Sequence, residues 1–281
     1  MNDPKSLIWL ASYPKSGNTW VRAFLAHYLL QPDGSPGATT FEAIERISSG
    51  DVSGPSYQEL AGCHPARLPP GAYPKVRLQH LTRIATSSGG VKFVKTHTQN
   101  THIGQAWLIP AALTRQAIYV VRHPLDMLMS YADHWGITVE AAAFQIGADR
   151  NMIAANDRTA AQFLGSWSAH VKSWTQARDF PVLTLRYEDM LADPGAAFTR
   201  VLNHIGAPVE PDVLASAVEK SSFRNLAAME AEQGFGEKGV GQQRFFRQGK
   251  TGQWRGKLPV EIIERVVADH GAVMRKLKYE V

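Results

Sequence analysis

Eight residues near the start of the chain, Tyr13–Trp20 (YPKSGNTW), place one lysine, one glycine and three small hydroxyl or amide side chains between an apolar run and an amphipathic one. The apolar run from Ile8 reads as a strand and the amphipathic run from Val21 to Leu30 as a helix, with the polar residues in the turn between them. Such a turn gathers backbone N–H groups and the positive end of a helix around one small concavity, which suits a phosphate. Lys15 adds a charge there, and Ser16, Asn18 and Thr19 add donors. The string is not a Walker A loop, which needs GxxxxGK followed by Ser or Thr, because Lys15 precedes Gly17 by two residues and the turn is tighter. A plainer reading of the same residues is a strand-to-helix turn in which Gly17 relieves strain and Asn18 or Thr19 caps the helix.

Three further groupings carry chemistry. Arg122 closes the apolar run Ala117–Arg122 and Ser130 follows eight residues later in a helix opened by Pro124; a guanidinium fork with a nearby hydroxyl clamps a phosphate dianion. The alternative is an Arg122–Asp126 ion pair with Ser130 facing solvent. His97 ends the strand-like run Val91–Thr96, and a neutral imidazole with a pKa of about 6.5 can accept a hydroxyl proton near neutrality. A hydrogen-bonded structural histidine is the competing role. Near the end, FFRQGKTGQWR (Phe245–Arg255) lies in a stretch that also holds Gly234, Gly236, Gly239 and Gly241. It reads as a loop, and Phe245, Phe246 and Trp254 argue that parts of it dock, because disordered loops carry few aromatics. There is no HExxH string and no cysteine cluster, so no metal site is expected.

The elements that must position these groups alternate. Strands are expected at 6–13, 91–96, 117–122 and 182–186. Helices are expected at 18–31, 41–47, 76–85, 125–135, 159–178, 196–205, 211–220 and 259–276, with irregular chain from Pro32 to Pro74. Alternation of this kind implies right-handed βαβ units and a parallel sheet covered by helices on both faces. Ligands of such sheets bind beyond the carboxyl ends of the strands, where Lys15, His97, Arg122 and Tyr187 all fall.

The 281 residues are 44% hydrophobic and 20% charged, enough for one large α/β domain. Cys63 is the single cysteine, so an intramolecular disulfide is excluded and a reducing compartment is expected. No run reaches transmembrane length and the start lacks a signal-like apolar region; the reading is a cytoplasmic protein without a membrane partner. The net charge of +5 suits an anionic ligand, but the basic residues are dispersed, which argues against nucleic acid.

These strings together resemble the cytosolic PAPS-dependent sulfotransferases, where PAPS is 3′-phosphoadenosine 5′-phosphosulfate and PAP is the bisphosphate left after transfer. Tyr13–Trp20 is similar to the family's 5′-phosphosulfate loop YPKSGTTW, Arg122 with Ser130 to its 3′-phosphate motif, and Lys95-Thr96-His97 to its KTH element. Phe245–Arg255 resembles the RKGxxGDWK segment that closes over the nucleotide: Arg247 and Gly249 match, whereas Gln248, Gln253 and Arg255 depart. Leu183–Met190 resembles the strand ending in Tyr-Glu-Asp, and Ser221-Ser222-Phe223 a Thr-Ser-Phe element. The matches run in order from residue 8 to about 256 and cover nearly the whole chain.

The resemblance implies a P-loop-like single α/β domain over 1–281, with a gating and substrate region at about 32–75 and a nucleotide-covering loop at about 234–256. It implies sulfuryl transfer from PAPS to a hydroxyl of a small-molecule acceptor, with His97 as general base, Lys15 stabilising the leaving phosphate and Lys95 assisting. Donor binding would fall to Lys15, Ser16, Gly17, Asn18, Thr19, Trp20, Arg122, Ser130, Tyr187, Ser221, Phe223, Arg247, Gln248 and Gly249, without metal. Thr98-Gln99-Asn100 after the histidine points to an acceptor pocket unlike that of the eukaryotic members, with His134 and Trp135 as candidate lining. A family dimerisation motif survives only in degraded form at Arg255, Pro259-Val260 and Glu264, which leaves a homodimer open. The competing functions are a P-loop small-molecule kinase and a non-catalytic binder of nucleotide or polyanion on the same fold.

Overall fold

The computed structural model describes residues 5–30, 41–239, 242–246 and 248–281. Five strands form one sheet: β1 (Leu7–Ser12), β2 (Ser49–Gly50), β3 (Lys92–Thr96), β4 (Thr114–Val121) and β5 (Val182–Arg186). Their order is β2-β3-β1-β4-β5, so β1 is the middle strand. β1 and β2 both pair in parallel with β3, Leu7 opposite Lys92 and Ser49 opposite Val94. Every residue of β1 is buried, as its unbroken apolar sequence requires of a strand covered on both faces. Among the described residues twelve helices accompany the sheet: α1 (Asn18–Leu29), α2 (Phe41–Arg46), α3 (Gly54–Ala61), α4 (Tyr73–Thr86), α5 (Pro124–Trp135), α6 (Val139–Gly147), α7 (Trp167–Thr175), α8 (Tyr187–Ala192), α9 (Pro194–Ile205), α10 (Pro211–Lys220), α11 (Phe223–Gln233) and α12 (Val260–Lys276). The expected architecture, a central parallel sheet flanked by helices, is the observed one.

The chain divides into two compact units, each assembled from separate segments. The first comprises Met1–Tyr13, Ser48–Tyr119 and Ala148–Thr184, and holds most of the sheet with α3, α4 and α7. Its core includes Val52, Tyr57, Tyr73, Val76, Leu108 and Ala160. The second comprises Pro14–Ile47, Val120–Gly147 and Leu185–Val281, and is helical. Ala23 and Ala26 of α1, Phe41 and Ile44 of α2, Leu226 of α11 and Phe235 form one of its clusters, with Phe245 and Phe246 packed against it.

Several boundaries depart from the sequence reading. The helix expected at 159–178 is confined to Trp167–Thr175. Gln162–Phe163 pairs with Met152–Ile153 instead, Gly165 turns at φ 63°, and the Ser166 hydroxyl accepts from Ala169 N–H to start the helix. The stretch read as irregular up to Pro74 contains α3 and a single 3₁₀ turn at Pro65–Arg67, while α4 begins at Tyr73 because Pro74 suits a first helical turn. α6, α8 and α11 were not expected at all. Among the described residues no helix is long and apolar enough to cross a membrane.

Candidate active site

In the second unit, the loop after β1 has two unusual backbone positions: Lys15 at φ 66° and Gly17 at φ 110°. Gly17 precedes α1, which has no side-chain cap and no acidic residue in its first turn, so the positive helix end faces no acidic group of its own first turn. Ser16 Oγ, Trp20 Nε1 and Arg122 Nε are buried polar atoms without a hydrogen-bond partner among the described residues. The Arg122 guanidinium donates from Nη1 to the Lys15 carbonyl (3.4 Å) and from Nη2 to the Lys250 carbonyl (3.2 Å), and lies 4.5 Å from the centre of the Tyr187 ring. Trp20 meets Tyr187 and Phe198 edge to face, at 5.8 and 5.7 Å. Burial raises the Tyr187 phenol, against the pull of Arg122, and keeps it protonated.

The glycine-rich segment reaches the same loop. Lys15 Nζ sits 3.6 Å above the Phe245 ring, and the buried Glu230 carboxylate accepts from Phe245 N–H (2.5 Å) and Phe246 N–H (2.9 Å). Glu237 pairs with Arg22 at 2.6 Å and accepts from the Thr19 hydroxyl at 3.5 Å. Gly249 has φ 58°, and a Cβ there would lie 2.4 Å from the Phe223 ring. Ser221 is fully buried and donates to the Val218 carbonyl of its own helix at 3.3 Å. Ser130 lies partly buried on α5. His134 donates from Nδ1 to Gln242 Oε1 (3.1 Å), and Trp135 is half-exposed beside it.

In the first unit, His97 follows β3, with Nδ1 2.8 Å from the Ser12 carbonyl and 3.3 Å from Ser12 Oγ. A carbonyl can only accept, so Nδ1 carries a proton, and in the neutral ring Nε2 is then the lone-pair nitrogen. The main chain around His97 is held from α7: His170 Nε2–H donates to the His97 carbonyl at 3.1 Å and Trp174 Nε1–H to that of Thr98 at 3.2 Å. His170 is fully buried, and desolvation lowers its pKa to about 3 against the effect of that carbonyl; the Tyr119 hydroxyl donates to its Nδ1 at 2.9 Å. Below Lys95, the Thr96 hydroxyl donates to Asp51 at 2.6 Å, and Asp51 pairs with Arg77, also at 2.6 Å. Both members of that pair are buried.

Comparison with known proteins decides what this arrangement belongs to. A family model described as the sulfotransferase domain matches residues 5–278. The chain belongs to the sulfotransferase family. It is 24% identical over 276 residues to flavonol 4′-sulfotransferase of Flaveria chlorifolia, covering 92% of this chain and 76% of that one. Sulfotransferase 2A2 of Rattus norvegicus is 25% identical over 264 residues, with 89% and 78% covered. Among solved structures, mouse sulfotransferase SULT7A1 complexed with PAP superposes with a TM-score of 0.61 at 20% identity, over 96% of this chain and 85% of the other. Retinol dehydratase in complex with androsterone and inactive cofactor PAP gives 0.62 at 18% identity, over 99% and 82%.

The residues singled out in the sequence are distributed between the two units. Lys15, Ser16, Gly17, Asn18, Thr19, Trp20, Arg122, Ser130, Tyr187, Ser221, Phe223, Gln248 and Gly249 belong to the second unit with His134 and Trp135, whereas Lys95 and His97 belong to the first. Arg247 lies outside the described residues. Arg122 does not form the alternative ion pair with Asp126, whose carboxylate instead accepts from backbone N–H groups of Gly252, Gln253 and Trp254. Sequence reasoning missed Asp51, Glu230 and His170, the buried polar residues that hold the site's main chain. None of the three stands in a string whose spacing carries a local signature.

Proposed function

We propose that this sulfotransferase moves a sulfuryl group from PAPS to a hydroxyl of a small-molecule acceptor in the cytoplasm. The observation that carries the reading is the set of buried atoms Ser16 Oγ, Trp20 Nε1 and Arg122 Nε, without partners among the described residues, around a helix start with no side-chain cap. A buried polar group left unsatisfied costs about 1–3 kcal/mol, and these three fit an anion carried on an aromatic base. PAP named with two solved members of the fold supports a sulfated adenine nucleotide as that ligand, and androsterone, named with one of them, supports a small hydroxylated acceptor.

In this reading the amides and hydroxyls of Ser16–Thr19 hold the 5′-phosphate. Arg122, Ser130, Arg247, Gln248 and Gly249 hold the 3′-phosphate, and Trp20, Tyr187, Ser221 and Phe223 surround adenine. His97 Nε2 takes the acceptor's proton as its oxygen attacks sulfur. The bond from sulfur to the 5′-phosphate oxygen breaks, and the electron pair stays on that oxygen, where Lys15 offsets the growing charge; Lys95 acts on the sulfuryl oxygens. Such transfer rests on positioning and charge stabilisation rather than a covalent intermediate. His134 and Trp135 contribute to the acceptor pocket.

Calorimetric titration with adenosine 3′,5′-bisphosphate, ADP and AMP, without added metal, tests the donor assignment with no acceptor in hand. Micromolar or tighter binding of the bisphosphate, with ADP and AMP weaker, is expected. Preference for ADP, appearing in a parallel titration with Mg²⁺ added, would replace this reading with a kinase.

A further inference from the structure

Asp126 stands on the first turn of α5, four residues after Arg122, and its side chain is buried. Its carboxylate accepts three consecutive backbone N–H groups: Gly252 at 2.7 Å, Gln253 at 2.7 Å and Trp254 at 3.2 Å. Two neighbours grip the same loop. Arg122 Nη2 donates to the Lys250 carbonyl, and the His123 ring stacks on Trp254 at 5.7 Å and 16°. A buried carboxylate is tolerated only when its lone pairs are used, and charge-assisted bonds to N–H groups are among the stronger ones available. Two other carboxylates of this corner are engaged elsewhere: Glu188 accepts from His123 N–H and from the Tyr279 hydroxyl, and Glu280 pairs with the Arg255 side chain. Asp126 is the one that holds the backbone N–H groups of Gly252–Trp254, separated by one residue from Gln248, Gly249 and Lys250.

We infer that Asp126 is a positioning residue for 3′-phosphate recognition: by docking Gly252–Trp254 it sets Gln248 and Gly249 for the donor without touching it. The inference rests on the donor reading above.

The test compares wild type, Asp126→Asn and Asp126→Ala by calorimetric titration with adenosine 3′,5′-bisphosphate and with AMP, which lacks the 3′-phosphate. In both variants bisphosphate affinity should fall at least about tenfold while AMP affinity stays within about twofold, a selectivity loss that general destabilisation does not produce. An unchanged ratio of the two affinities in folded Asp126→Asn overturns the inference, whether both affinities hold or both fall together. Should the variants fail to fold, hydrogen exchange on the ligand-free wild type decides: the amides of Gly252, Gln253 and Trp254 should be protected, and fast exchange there overturns the role. A wild type that does not prefer the bisphosphate to AMP brings down the donor reading itself, and this inference with it.

Discussion

A Cβ on Gly17 would stand 2.8 Å from the Tyr187 ring, and its φ of 110° strains any L side chain. Gly17→Ala should therefore cost about 1–3 kcal/mol of stability and weaken bisphosphate binding, measured by urea unfolding and calorimetry; wild-type values for both would show the loop to be more tolerant than its geometry. Arg122 donates to two loop carbonyls and keeps Nε for another acceptor. Its replacement by alanine should weaken the bisphosphate by about 10- to 100-fold, the worth of bonds to a charged group. His97→Ala should lower turnover by at least about 10²-fold, as loss of a general base does, with bisphosphate affinity within about twofold. Retained turnover would remove His97 as the base. The sequence already showed these three residues, because each sits in a short string whose spacing carries meaning. The tautomer of His97 was not visible there: Ser12, which sets it, lies on another strand 85 residues away.

At the scale of elements, α7 serves as a brace. It supplies His170 and Trp174 to the carbonyls after β3, and its start depends on the Ser166 cap. Ser166→Ala should cost about 1 kcal/mol, seen as a lower urea midpoint; an unshifted midpoint would mean that packing of Trp167 and Trp174 alone holds the helix. The expected helix at 159–178 was too long because apolar residues from Ala160 to Leu164 imitate helical spacing, whereas their partners, Val52 for Ala160 N–H and Asn151 for Leu164 N–H, are distant in sequence. Strands β1 and β4 were legible as short, mostly apolar runs buried nearly throughout, and β3 and β5, only partly buried, as short apolar-rich runs bounded by turn residues. Two-residue strands such as Ser49–Gly50 leave no such pattern.

Across the whole molecule, several histidines are buried in neutral form. Burial lowers His170 to about 3, His27 to about 4 with help from the Lys220 charge, and His270 to about 4 against the pull of Asp269. The unfolded chain takes up protons at these positions below about pH 6.5, while the folded protein does not until far lower, so stability falls as pH drops through that window. Each such group contributes a slope of up to about 1.4 kcal/mol per pH unit. Urea unfolding should show a loss of a few kcal/mol between pH 7 and 5, and an unchanged free energy over that range would refute the neutral assignment. None of this was readable from ten histidines in a string. Sequence by itself determined the alternation of strands and helices, the strand-to-helix loop at Tyr13–Trp20 and the positions of His97 and Arg122, because those depend on local spacing and backbone preference. Tertiary structure decided which polar groups hold them in place, Asp51 with Arg77 under Thr96, His170 behind His97 and Asp126 under Gly252–Trp254. These pairings join residues 26 to 128 apart, and desolvation and hydrogen-bond geometry, which select them, exist only once the chain has folded.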